Sequence, residues 1–125
     1  MQRFEIPLKL IGLNDYITLN RTNTYKASKI KNEIENDIII CIKAAKIRHI
    51  KRPVFIRFTW FEQTSRRDKD NVRFAKKFIL DAMQKARVLE NDNNDFIAGF
   101  QDNFIYGQGQ KVRVEIFDCD EVERR

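Results

Sequence analysis

Eight consecutive residues, Val54-Phe55-Ile56-Arg57-Phe58-Thr59-Trp60-Phe61, are β-branched or aromatic with the single exception of Arg57. Such side chains lose rotamer freedom in a helix and pack well on a pleated surface. No other run limits the fold so strongly: it predicts a central strand, around which the remaining elements must be arranged. Residues 4–10 roughly alternate and predict a first strand, with Pro7 marking an edge or an irregularity. Ala27, Ile30, Ile34, Ile38, Cys41 and Ala45 step by three or four, which predicts a long helix over residues 24–47. Ile39, Ile40 and Ile42 fall off that stripe, so the C-terminal half of this helix lies in the core or meets another subunit, core being the favoured reading.

Before the helix, residues 14–25 are rich in Asn and Thr and predict a loop. After the strand, a polar loop leads to Asp68-Lys69-Asp70-Asn71, where Asp70 or Asn71 is suited to cap a following helix. In that helix Val72, Ala75, Ile79, Ala82, Met83 and Ala86 make the buried stripe, Phe74 and Phe78 extend it, and Arg73, Lys77 and Asp81 face solvent. A dense Asn/Asp turn holds Asp92, and residues 96–106 and 111–117, separated by Gly107-Gln108-Gly109-Gln110, predict a hairpin. Residues 118–125 predict a frayed tail. The expectation is one α+β domain over residues 1–125, of order β-α-β-α-β-β, with a mixed sheet packed against two helices.

Charge is uneven. Residues 1–67 carry 14 Lys/Arg against 6 Asp/Glu, and residues 68–125 carry 10 against 12, within a net charge of +6. A basic surface around a local acidic group fits a metal site that acts on nucleic acid, although a merely basic soluble protein has the same charge. Cys41 and Cys119 have no metal-ligand spacing, which argues against zinc, and Cys41 reads as a buried reduced thiol. The lone His49, read as a surface residue, argues against a Ser-His-Asp or Cys-His nucleophile. There is no charged-then-apolar leader and no apolar stretch near the ~20 residues that span a bilayer, so a cytoplasmic protein is expected.

Asp68 and Asp70, spaced i, i+2 in a segment read as extended, point the same way, and like charges held together call for a cation. Mg²⁺ takes a few carboxylates with retained waters and phosphate oxygens. Calcium in an EF-hand fails: with Asp68 first, the fifth, sixth and twelfth positions are Val72, Arg73 and Ile79, and with Asp92 first the fifth is Phe96. The competing reading is structural, with Asp70 a helix cap, Asp68 plain surface charge and Asp92 a turn residue. Asp92 joins the pair only if the chain folds back beside it, because a helix of about sixteen residues spans roughly 24 Å. Lys76 lies on the edge of the buried stripe and must snorkel or meet a partner, whereas Lys77 points outward.

The run from Arg67 to Asn71, the helix from Phe74 to Ala82 and the following Leu89-Glu90-Asn91-Asp92 resemble the RusA family of Holliday junction resolvases, common in phages and prophages. The likeness extends loosely over most of the chain. It implies a homodimeric endonuclease, dependent on Mg²⁺ with Mn²⁺ as a substitute, that nicks two strands of a four-way DNA junction symmetrically. It makes Asp68, Asp70 and Asp92 the metal-binding carboxylates. The family's functional lysine corresponds to Phe74 in the shorter variants, so Lys76, with Lys77 as the alternate, takes that role here. Arg66, Arg67, Lys69, Arg73 and Lys77 become the expected DNA contacts around the site, and Asn20 and Arg21 those of a polar N-terminal loop. A catalytically silent DNA-binding protein and a broader branched-DNA or RNA nuclease are the alternatives.

Overall fold

A computed structural model describes residues 1–119. It is an α+β domain built on a four-stranded mixed sheet of order β1-β4-β2-β3. The strands are β1 (Gln2–Ile6), β2 (Val54–Glu62), β3 (Ile97–Tyr106) and β4 (Lys111–Asp118), and the helices α1 (Leu13–Thr22), α2 (Thr24–Ala44), α3 (Lys69–Arg73) and α4 (Lys76–Lys85). The apolar run is the inner strand β2, antiparallel to β4 and parallel to β3. β1 is an edge and stops at Ile6, before Pro7 removes a ladder donor.

Four expectations are corrected. The two runs after residue 95 form no hairpin, because β2 lies between β3 and β4. Their link crosses the end of β2, where Gly107 in the left-handed region donates its N–H to the Glu62 carbonyl at 2.9 Å. The polar stretch read as a loop is the helix α1, so helical segments number four among the described residues rather than two. The expected helix after Asp70 is split at Phe74 and Ala75 by three-residue hydrogen bonds, Ala75 to Val72 and Lys77 to Phe74. Asp118 belongs to β4, and the rest of the expected tail, from residue 120, lies outside the described residues.

The helices pack on one face of the sheet. From β2 that face presents Ile56, Phe58 and Trp60, paired with Ile116, Val114 and Val112 of β4, and all are buried. α2 starts at Asn23, whose side chain accepts from the Lys26 N–H at 3.0 Å. Its buried line is Ala27, Glu35, Ile38 and Ile42, a slight rotation from the expected stripe: Ile42 is core, Cys41 only half-buried, and Ile40 is 65% exposed. Burial raises the Cys41 thiol above its ordinary pKa. Glu35 is held by Lys85 of α4, with Lys31 at 3.6 Å from it and 3.5 Å from Asp81, so α2 and α4 are joined by ions as well as by apolar contact. No helix among the described residues is long and apolar enough to cross a membrane.

Candidate functional site

At the end of β2 the chain is tied down before it turns. Glu62 is buried, and Arg67 places Nε and Nη2 each 2.7 Å from its Oε1 while donating from Nη1 to the Leu10 carbonyl at 3.0 Å. Arg67 is thereby a structural clamp and not a free DNA contact. Arg66 stays exposed in the loop.

Asp68 and Asp70 do not share an extended segment. Asp68 occupies the N-cap position of α3 with its carbonyl accepting from Val72 N–H at 3.0 Å, and Asp70 lies within the helix. Neither Asp70 nor Asn71 caps α3. The Asn71 Oδ1 instead accepts from the Asn14 N–H at 2.8 Å and so caps α1, and a Cβ on Gly12 would stand 2.7 Å from that oxygen. Both aspartates remain exposed, and they line an open depression of about 440 Å³ with Ser65, Arg67, Lys69 and Tyr106.

A chain of charges leads from this depression to the face of β3. Arg73 holds Asp70 at 2.8 Å and reaches within 4.0 Å of Asp102. Lys76 reaches Asp102 Oδ2 at 2.8 Å, and Trp60 Nε1 donates to Asp102 Oδ1 at 2.9 Å. The Lys76 ammonium, on a side chain 18% exposed, also stands 5.2 Å over the Phe58 ring and 4.7 Å over Phe100. Of the two outcomes its place on the stripe allowed, Lys76 therefore meets a partner, and Lys77 points outward with Asp81 at 4.0 Å. Lys69 lies 5.6 Å over Phe104. The split of the helix serves both ends of this arrangement: Phe74 turns to Tyr16 and Phe78, at ring distances of 5.6 and 5.5 Å, while Lys76 faces β3.

Asp92 is elsewhere. α4 carries the chain back to the start of β2, where Ile50 N–H bonds the Val88 carbonyl and Val54 N–H the Phe96 carbonyl, both at 2.8 Å. Since β3 then runs parallel to β2, Asp92 sits at the opposite end of the sheet from Asp68 and Asp70, on the order of 25 Å away. Its surroundings are an Asn turn: Asn91 Oδ1 accepts its N–H, and Asn93 Oδ1 that of Asp95. The three carboxylates are not brought together in one chain, and among the described residues no group of three or more His, Cys, Asp or Glu gathers as a metal site. Asn20 and Arg21 are exposed on the last turns of α1, not on a loop.

The sequence reading passed over Asp102. Its signal was phase: among Phe100, Asp102, Phe104 and Tyr106, all on the face of β3 that looks toward the helices, it is the one charged residue, and such a residue calls for a partner. No protein-family model matches the chain, and no curated protein matches it.

Proposed function

We propose that this chain is a Mg²⁺-dependent endonuclease of branched DNA, a RusA-like resolvase that acts as a homodimer on four-way junctions. The observation that carries the reading is the pair of exposed carboxylates, Asp68 and Asp70, in an open depression where the central strand gives way to a helix, with Lys69 in its lining, Arg73 on Asp70, and Lys76 farther along on Asp102. The donor set fits the ion, because Mg²⁺ commonly takes one or two carboxylates and completes its shell with waters and substrate phosphate oxygens. Asp68 and Asp70 are the ligands in this reading, and Asp92 of the same chain is not. Bound there, the ion supplies a Lewis acid for the phosphodiester and a more acidic water.

The chain's own residues supply the rest. Arg73, half-exposed, is the cation that can leave Asp70 for a phosphate, exchanging one charge-assisted bond for another. Lys76 is fixed by Asp102 and two aromatic faces, so its ammonium is held at a set position, its charge largely balanced by Asp102, and is not a mobile contact. Lys69, Arg66 and Lys77 are the remaining phosphate contacts. A dimer with two-fold symmetry presents two equal sites to a junction of the same symmetry.

The test is cleavage of a labelled four-way junction and of a linear duplex, each with and without Mg²⁺. Junction cutting that needs the ion, and falls at least about a hundredfold in Asp70→Asn with DNA affinity retained, is the expected result. Equal cutting of both substrates removes the junction claim. The engagement of Asp70 by Arg73 and the remoteness of Asp92 favour a second reading, a DNA-binding protein without catalysis. Metal-independent binding with no nicking of any branched substrate would establish it.

A further inference from the structure

We infer that residues 46–52, together with Arg87, form a second site for the phosphate backbone of a nucleic acid, at the end of the sheet opposite Asp68 and Asp70. The inference rests on the nucleic-acid reading above and adds a track that the reading does not contain.

The segment between α2 and β2 holds Lys46, Arg48, His49, Lys51 and Arg52. Several cations elsewhere are ion-paired: Lys31 and Lys85 with Glu35, Arg57 with Glu115, Arg67 with Glu62, Lys76 with Asp102, and Lys111 and Arg113 with Glu5. Among the described residues none of Lys46, Arg48, Lys51, Arg52 and Arg87 has a carboxylate within ion-pair distance. Like charges crowded without counterions raise the energy of the chain, and an anion lowers it.

The crowding is held in a shaped surface. Arg48, His49, Lys51 and Arg52 line a cavity of about 200 Å³ with Met1, Gln2 and Asp118, the last the one carboxylate of its lining among the described residues. A second depression, of about 240 Å³, adjoins it through Met1, Gln2 and Arg48 and is lined further by Arg3 and Lys46. Two hollows sharing Arg48 make a track with more positive charge than one phosphate calls for, which fits successive phosphodiesters better than a single free anion.

The track is also preformed. The Gln2 carboxamide accepts from Arg48 N–H and donates to the Arg48 carbonyl, at 2.5 and 3.2 Å. Ile50 is buried, with its N–H on the Val88 carbonyl. His49 Nδ1–H donates to the Arg87 carbonyl at 2.8 Å, which fixes the ring against the end of α4. Lys46 and Arg87, just past the ends of α2 and α4, take φ of 55° and 61°, a conformation that Gly or Asn adopts at lower cost. Both positions thus add a basic side chain at a helix C-terminus to this end of the sheet, where the helix dipole also favours a cation.

The test uses the full chain and a fluorescent four-way junction, with dissociation constants measured over a range of salt. For Arg48→Ala/Lys51→Ala/Arg52→Ala the affinity should fall more than about tenfold and the slope of log K against log salt should drop by about two to three, near 0.9 per lost contact. The charge-preserving Arg48→Lys/Lys51→Arg/Arg52→Lys should keep both, which separates charge from folding. Unchanged affinity and slope in the alanine variant overturn the site, as does a parent chain that takes up inorganic phosphate but no DNA. A parent chain that binds the junction through this track yet never nicks it supports the site and overturns only the endonuclease reading.

Discussion

The Asn71 carboxamide joins segments 57 residues apart, because the helix it caps is not its own. α1 has no capping side chain at Gly12 and buries no residue completely, so its first N–H groups depend on this borrowed acceptor. Asn71→Ala should cost about 1 kcal/mol in urea unfolding. Gly12→Ala, whose Cβ would stand 2.7 Å from Asn71 Oδ1, should cost clearly more in the parent than beside Asn71→Ala. Additive losses in that double-mutant cycle would refute the contact. Neither role was legible locally: Asn-rich sequence reads as loop by propensity, and only the packing of Tyr16 on Phe74 and Phe78 with the remote cap tips it to helix.

Among the elements, the sheet face away from the helices is closed by ions over aromatics. Arg57 donates from Nε and Nη2 to Glu115, both at 3.0 Å, and lies 5.0 Å over Phe117, while Lys111 and Arg113 cover Phe61 and reach Glu5. The hydrogen bond from Arg57 holds Glu115 below the ordinary carboxyl pKa, and that from Arg113 does the same for Glu5. A depressed folded pKa means that the unfolded chain binds protons first as pH falls. The pairs therefore stabilise the fold above the ordinary value of 4.5, and the contribution is lost as pH drops through the lower folded values. Arg57→Gln should lose about 1–2 kcal/mol at pH 7, and the gap to the parent should narrow at a pH well below 4.5. A gap of equal size at both pH values would show that the carboxylate is not the cause. The long helix and the apolar strand were legible because each carries its own period. The split of the helix after Asp70 was not, since Phe74 continues the apolar pattern and yet turns toward α1.

For the whole molecule, the decisive fact is that β3 runs parallel to β2. A glycine-rich link between two strand-like runs reads as a hairpin, and the hairpin would have left β3 pairing with β4 alone. Parallel pairing instead sends α4 the length of the sheet and places Asp92 at one end with Asp68 and Asp70 at the other. With Cys41 and Cys119 changed to Ser, spin labels at positions 70 and 92 of a chain diluted with unlabelled protein should report a separation on the order of 25 Å. A distribution centred near 10 Å would restore the three-carboxylate site. The same pairing puts Asp102 opposite Phe58, where Lys76 and Trp60 can reach it.

The chain's own order of residues was enough for the α+β class, the inner strand, the long helix, an edge or irregularity at Pro7 and a lysine that must snorkel or meet a partner, because each of these follows from how a residue relates to neighbours within a few turns or pleats. Tertiary structure alone decided which strands pair, which polar stretch becomes a helix, and which carboxylates come close to which cations. Those outcomes depend on contacts between residues tens of positions apart, and nothing in a local period encodes the direction in which a strand joins its neighbour.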